Sequence, residues 1–354
     1  MSSSYSILVD DCHSKITNHF TDIKLLDATI ITLPDKVSKD YKGCGGRNSK
    51  ASMKIQTLYS MGTHSIKHFD ITQGVTHDTN ALPEVINQLG ENELLLSDLG
   101  YFDINSLRKI GEQNFFISRI KSNLLIFEEA DDVENFYKEI DMTKLLKKNK
   151  TDILDKEIYI GCKDNNALRV RLIATKLPCD IASKRIQKAI KQNGGKEISA
   201  KKRTLLHYNI VITNVKSDKL EARTISELYR VRWQIELLFK VLKSNLAIDK
   251  MNNANTEYTE AFIYGRILGL LLTLPVYHEL DVLYTKAEGR GVSIQRFYKL
   301  LVQEINSFIA LTKMTYKELK NLNNTLLQIG KLALYEKRKR KVTAVNVEEL
   351  LNTG

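Results

Sequence analysis

Residues Glu227 to Leu246 read ELYRVRWQIELLFKVLKSNL. The spacing predicts one helix, with Ser226 as its N-cap. At 100° per residue, Tyr229, Arg232, Glu236 and Lys243 fall within roughly 60° of one face. Val231, Ile235, Leu238, Leu242 and Leu246 form the neighbouring apolar arc, and Leu237 and Val241 lie on the other side. Apolar flanks imply a helix packed on most sides, with a single polar seam. A carboxylate there, with two cations on its own face, suits an anionic ligand and a metal. The same residues also suit an i, i+4 ion pair on a solvated face, Arg232 with Glu236 or Glu236 with Lys240. The helix alone leaves both readings open.

Working upstream, the first half of the chain is strand-like. Ile23 to Leu33 is a β-branched, apolar run ended by Pro34, and a turn rich in Gly, Asp, Lys and Ser follows. Met53 to Met61 and Ser65 to Thr72 predict two strands broken near Gly62. Pro83 to Leu89 predicts a short helix, Glu93 to Ser97 a buried strand, Asp103 to Ile110 a helix and Phe115 to Arg119 a further strand. This order specifies an α/β fold around one mixed sheet. Between 121 and 220 the character changes. Lys156 to Cys162, Leu168 to Lys176 and His207 to Asn214 read as strands, and Val133 to Lys150 as a polar helix or loop. Asp180 to Gln192 reads as a basic helix stopped by Gly194 and Gly195. The segment is expected to be a β-rich insertion. Helices then dominate, at Glu257 to Tyr284, Ser293 to Phe308 and Thr315 to Lys337.

Composition narrows the class of partner. Lys and Arg outnumber Asp and Glu by 53 to 42, for a net charge of +11. A field of that sign favours polyanions, of which nucleic acid is the commonest in cytoplasm. Cys12, Cys44, Cys162 and Cys179 are far apart and form no C-x-x-C pair, so a reducing compartment is the simpler reading. The N-terminus lacks the pattern of a signal peptide. Ile267 to Val276, the longest apolar run, is too short to span a bilayer and contains Pro275, so it is expected to be a buried helix. Together these give the expectation of a soluble, cytoplasmic, nucleoid-associated protein with no membrane partner.

The pattern Tyr229, Arg232, Glu236, Lys243 resembles the Y-R-E-K signature of DDE transposases of bacterial insertion sequences, the insertion-sequence-four type. LLDATIITLP resembles that family's first catalytic strand, LLLSDLGYFD its second acidic motif, and VTHDTNA and Ile212-Thr213-Asn214 fit as well. The resemblance covers roughly Ile23 to Asn253. It implies a ribonuclease-H-like mixed sheet with a β-rich insertion and a helical C-terminal region. The boundaries it suggests are 1–22 for a short N-terminal remnant, 23–120 for the first part of the core, 121–220 for the insertion, 221–255 for the helix completing the core, and 256–354 for a helical region with a basic tail.

The resemblance also implies a reaction and its residues. Asp27, Asp98 and Glu236 would be the catalytic metal ligands, and Tyr229, Arg232, Lys243 and Lys240 would contact DNA. The cofactor implied is Mg²⁺, with Mn²⁺ able to substitute, as two ions about 3.5–4 Å apart serving both ends of an in-line displacement. The partner implied is double-stranded DNA, the element's ends and the target, bound by a homodimer. The residues by themselves also admit a second reading, of Asp27 as a buried, hydrogen-bonded strand-end aspartate, Asp98 as a turn or N-cap residue and Tyr229 as a packed ring, although an aspartate inside IKLLDATII is disfavoured by β-propensity.

Other features point elsewhere. His64 and His68 have metal-ligand spacing but lie on a strand-like segment. Gly43, Gly45 and Gly46 lack the Lys-Ser/Thr of a nucleotide loop. Arg169, Arg171, Lys184, Arg185 and Lys188 are candidate phosphate contacts, as is the run 337–341. Two features depart from the family pattern: only 26 residues precede Asp27, and Leu99 follows Asp98 where many relatives have Arg. The short N-terminus carries a second expectation, of a non-catalytic remnant that binds DNA or inhibits a full-length transposase.

Overall fold

The structure, a computed structural model, describes residues 19–45, 50–130, 136–162, 167–251, 255–304 and 316–334. Cys12 and the basic run 337–341 lie outside them. The described strands are β1 (Ile23–Thr32), β2 (Ser52–Ser60), β3 (Ser65–Gln73), β4 (Leu94–Ser97), β5 (Phe115–Arg119), β6 (Ile126–Glu129), β7 (Tyr137–Ile140), β8 (Ile153–Ile160), β9 (Leu168–Lys176) and β10 (Tyr208–Thr213). The helices are α1 (Leu82–Asn87), α2 (Ile104–Gln113), α3 (Met142–Lys148), α4 (Cys179–Gln192), α5 (Ala200–Leu206), α6 (Ala222–Val231), α7 (Gln234–Ser244), α8 (Thr256–Glu288), α9 (Ile294–Gln303) and α10 (Tyr316–Leu332). The chain divides into two compact units, one holding residues 19–26 and 77–232, the other 27–76 and 233–334.

The first unit is a mixed sheet with helices. The start of β1 runs parallel to β4, from Ile23 opposite Leu94 to Leu26 opposite Ser97, and β4 runs parallel to β5. Ile23, Leu25, Leu26, Leu94, Leu95, Leu96, Phe116 and Ile117 are all buried, as parallel strands covered on both faces require. β10 joins β5 antiparallel, and β9, β8, β6 and β7 follow in that order. The strands of 121–220 therefore extend the same sheet. Asp103 caps α2 by accepting from the Ser106 N–H at 2.8 Å. α4 ends, as its glycines predict, at Gly194 and Gly195, which take φ of +66° and +81°. β6 and β7 were not legible beforehand, because both are short and half polar.

The second unit holds the rest of β1 with β2 and β3, in the order β3-β2-β1, and α7 to α10. β2 and β3 form an antiparallel hairpin with a register shift between Leu58 and Tyr59. All nine residues of β2 are buried.

Two expectations are corrected. The single helix from 227 to 246 is two helices, α6 and α7. Ser226 is no cap: it lies inside α6, buried, with its hydroxyl 2.6 Å from that of Thr175. Around Arg232 and Trp233 the backbone turns to i, i−3 bonds, Arg232 N–H to the Tyr229 carbonyl (3.3 Å) and Glu236 N–H to that of Trp233 (3.0 Å). Such bonds wind the chain more tightly than an α-helix and interrupt it. The second correction concerns 267–276. It lies within α8, a 33-residue helix that passes through Pro275, and only one side is buried: Ile267, Leu270 and Leu274 are covered while Leu268 and Leu272 are exposed. By length and composition α8 is apolar enough to cross a membrane, with 28% of its most apolar window buried.

Candidate active site

Asp27 is the fifth residue of β1 and half-buried, with Oδ1 accepting the Ala28 N–H at 2.8 Å. Asp98 follows β4 directly, in extended backbone at φ −84°, ψ 172°. Because Leu26 pairs with Ser97 in parallel register, each aspartate is the residue next after that pair. Ligands of open α/β sheets gather at such carboxyl ends of parallel strands.

Around Asp98 the first unit builds a cationic setting. The Arg119 guanidinium, at the end of β5, stands 4.0 Å from Asp98 Oδ1, with both side chains about two-fifths exposed. The register explains the meeting, since Ser97 pairs with Ser118 and each charged residue comes next. Arg185 of α4 is also drawn in: burial lowers its pKa, and the nearby Arg119 charge lowers it further. Arg185 donates to the Tyr208 carbonyl at 3.4 Å. Gly100 sits in the turn after Asp98, and a Cβ there would lie 2.4 Å from Asp78 Oδ2. The motifs VTHDTNA and LLLSDLGYFD therefore meet, and a bare backbone at Gly100 lets the Asp78 carboxylate approach.

Tyr229 lies beneath this turn, buried. Its hydroxyl donates to the Ser97 carbonyl at 3.2 Å and stands 3.5 Å from Asp98 Oδ1. Burial first, then the Asp98 charge, holds its pKa well above the ordinary tyrosine range, against the pull of Arg232 and Arg119. Tyr229 is therefore a neutral donor aimed at the end of β4. The half-buried Arg232 guanidinium lies 6.0 Å from the Tyr229 ring centroid.

In the second unit Glu236 is exposed in the first turn of α7, with Lys240 exposed one turn on. Lys243, in the last turn, is half-buried; burial lowers its pKa and the charge of Asp249 partly restores it. Among the described residues, no three His, Cys, Asp or Glu side chains form a group able to hold a metal ion. Of the His64 and His68 pair, His64 lies in the turn between β2 and β3, stacked on half-buried His278 at 4.2 Å, and His68 lies on β3.

The candidate phosphate contacts divide. Arg171 is buried and bound to Asp155 through two bonds of 2.7 and 2.6 Å, and it donates to the Leu220 carbonyl at 2.6 Å. It holds structure and has no capacity left for DNA. Arg169 is exposed and paired with Glu157, and Lys184 stands 3.8 Å from Asp180. Reading the sequence missed Arg119. Its signal was position: it closes a buried strand parallel to the one that presents Asp98.

Fold and site together define an α/β protein that sets one carboxylate among arginines at the ends of parallel strands. The sequence pattern of the transposase DDE domain matches residues 18–272. The transposase for insertion sequence element IS1151 of Clostridium perfringens is 30% identical over 353 residues, covering 95% of this chain and 74% of that protein. The transposase for IS231F of Bacillus thuringiensis subsp. israelensis is 27% identical over 348 residues, covering 92% and 72%. Among solved structures, the piggyBac transposase synaptic complex with hairpin DNA gives a TM-score of 0.41 at 11% identity, over 90% of this chain and 59% of that one. The chain belongs to the transposase DDE domain family.

Proposed function

We propose that this chain cuts and joins DNA strands at the ends of an insertion sequence, with Asp27, Asp98 and Glu236 as ligands of divalent ions and double-stranded DNA, held by two copies, as partner. The supporting observation is the parallel register of Leu26 with Ser97, which makes the two aspartates consecutive to one registered pair. The donor set suits the group, since three carboxylates offer the hard oxygen ligands that Mg²⁺ or Mn²⁺ prefers. When bound, the ions would activate the attacking oxygen and stabilise the leaving one.

The chain's own residues supply the rest. Arg119 and Arg185 offer guanidinium donors to a backbone phosphate beside Asp98, and Arg can meet a phosphate in bidentate fashion. Tyr229 orients Asp98 and the Ser97 carbonyl. Its hydroxyl being so engaged, it acts on DNA through the carboxylate it positions. Arg232, Lys240 and Lys243 add cations along the following segment, Lys243 from a partly desolvated position.

The test is cleavage of labelled DNA carrying the element's own end, with Mg²⁺ or Mn²⁺, by the wild-type chain beside Glu236→Gln, Asp27→Asn and Asp98→Asn. Metal-dependent cutting by the wild type alone, lost at least a hundredfold in each variant, is the expected result. Cutting that survives any of the three changes removes that residue from the set. Binding without cutting by the wild type would favour a non-catalytic DNA-binding remnant.

A further inference from the structure

The turn that follows Asp98 is seated on another turn of the same unit. Leu99–Tyr101 is a 3-10 turn, in which the Tyr101 N–H donates to the Asp98 carbonyl and the Phe102 N–H to the Leu99 carbonyl, at 3.1 Å each. Tyr101 and Phe102 are buried, while Asp98, Leu99 and Gly100 are half-buried. A second such turn, Asp78–Ala81, runs directly into α1, and buried Ala81, Leu82 and Val85 anchor it. The two turns pack on each other, with Gly100 against the half-buried Asp78. A Cβ at Gly100 would lie 2.4 Å from Asp78 Oδ2, 3.3 Å from its Cγ and 3.5 Å from its Cβ. Gly100 is not among the glycines of positive φ, so space, and not backbone conformation, calls for glycine there. The Asp78 carboxylate fills the volume that a side chain at position 100 would need.

This seating matters because the Asp98 side chain is loosely held. It makes no cap bond within its own turn, its contact with Tyr229 is 3.5 Å long and its pair with Arg119 4.0 Å. Both distances lie beyond a good hydrogen bond. The direction of the carboxyl group therefore follows from the backbone of the turn, and a ligand group has to be held within about 0.5 Å of its working position. We infer that Asp78 is a positioning residue for Asp98: its carboxylate, packed against Gly100, fixes the turn that aims the Asp98 carboxyl group at a divalent ion. The role is one of shape. An amide at position 78 would serve it, whereas Asp78→Ala leaves the turn unsupported and Gly100→Ala pushes it away. It rests on the reading of Asp98 as a metal ligand given above.

The test is Mn²⁺ uptake by the full chain without DNA, followed through the paramagnetic resonance of the free ion. Hydrogen exchange of the segment 98–102 in metal-free buffer accompanies it. Asp78→Ala and Gly100→Ala are each expected to weaken Mn²⁺ binding about tenfold. Both should speed exchange at Tyr101 and Phe102 and leave it unchanged in β8 and β9. Asp78→Asn, which keeps the shape of the side chain, is expected to match the wild type. Asp78→Ala combined with Gly100→Ala is expected to bind Mn²⁺ more tightly than either single variant, because the new methyl group takes up space the carboxylate leaves. Wild-type binding by Asp78→Ala overturns the positioning role. So does a double variant as weak as the two losses multiplied, an Asp78→Asn variant as weak as Asp78→Ala, or faster exchange throughout the unit. Asp98→Asn separates this role from the reading beneath it. Where Asp98→Asn loses Mn²⁺ and Asp78→Ala does not, the positioning role alone is refuted. Where Asp98→Asn binds as the wild type does, or the wild type takes up no Mn²⁺, the assignment of Asp98 falls and the positioning role with it.

Discussion

Tyr229 keeps its proton far into the alkaline range because burial penalises the phenolate, and Tyr298, also buried, does the same. The consequence for stability has a definite sign. Below about pH 10 both the folded and the unfolded chain hold these protons, so they contribute no pH dependence. Above it the unfolded chain releases protons that the folded chain retains, and stability falls as pH rises. Tyr229→Phe removes one such group and also a hydrogen bond to the Ser97 carbonyl. It is expected to cost about 1 kcal/mol at pH 7 and to lose less stability than the wild type between pH 9 and 11. Urea unfolding at several pH values measures both. An unchanged alkaline slope would mean that Tyr229 is not held neutral by the fold.

At the scale of elements, strands and helices with a strong period were readable because their pattern is local. β5, β9 and α4 lie within a residue of where alternation and the flanking glycines put them. The break between α6 and α7 was not readable, for it contains neither proline nor glycine to announce it. Arg171 and Arg169 are two positions apart on β9, on the same face of the strand, and look alike in sequence, yet one is buried and the other exposed. Arg171 reaches inward to Asp155 and the Leu220 carbonyl, while Arg169 meets Glu157 at the surface. Arg171→Ala is therefore expected to destabilise the chain by about 2–3 kcal/mol, since it strands a buried carbonyl and a half-buried carboxylate. Arg169→Ala is expected to cost less than about 1 kcal/mol. Urea midpoints of the two variants against wild type check the contrast, and equal losses would contradict it.

For the whole molecule, a net charge of +11 means that DNA affinity falls with salt as counterions return to the phosphates. A plot of log affinity against log salt should be linear, and Arg119→Gln should lessen its slope by about 1 if that guanidinium meets a phosphate. The fold should not suffer, because the pair with Asp98 is partly exposed and 4.0 Å long. Affinities of both proteins for an end-bearing duplex between 50 and 300 mM salt decide the matter, and an unchanged slope would remove Arg119 from the DNA contacts. The α/β order of elements, the family signature and the strand bearing Asp27 were determined by the sequence alone, because propensity, periodicity and motif spacing act between near neighbours. Tertiary structure alone decided that Tyr229 turns its hydroxyl to Ser97, that Asp98 meets Arg119, that Arg171 is structural and that one side of α8 stays bare. The physical reason is that burial and choice of partner depend on groups brought from far along the chain. Tyr229 and Ser97 stand 132 residues apart, and no local pattern records their meeting.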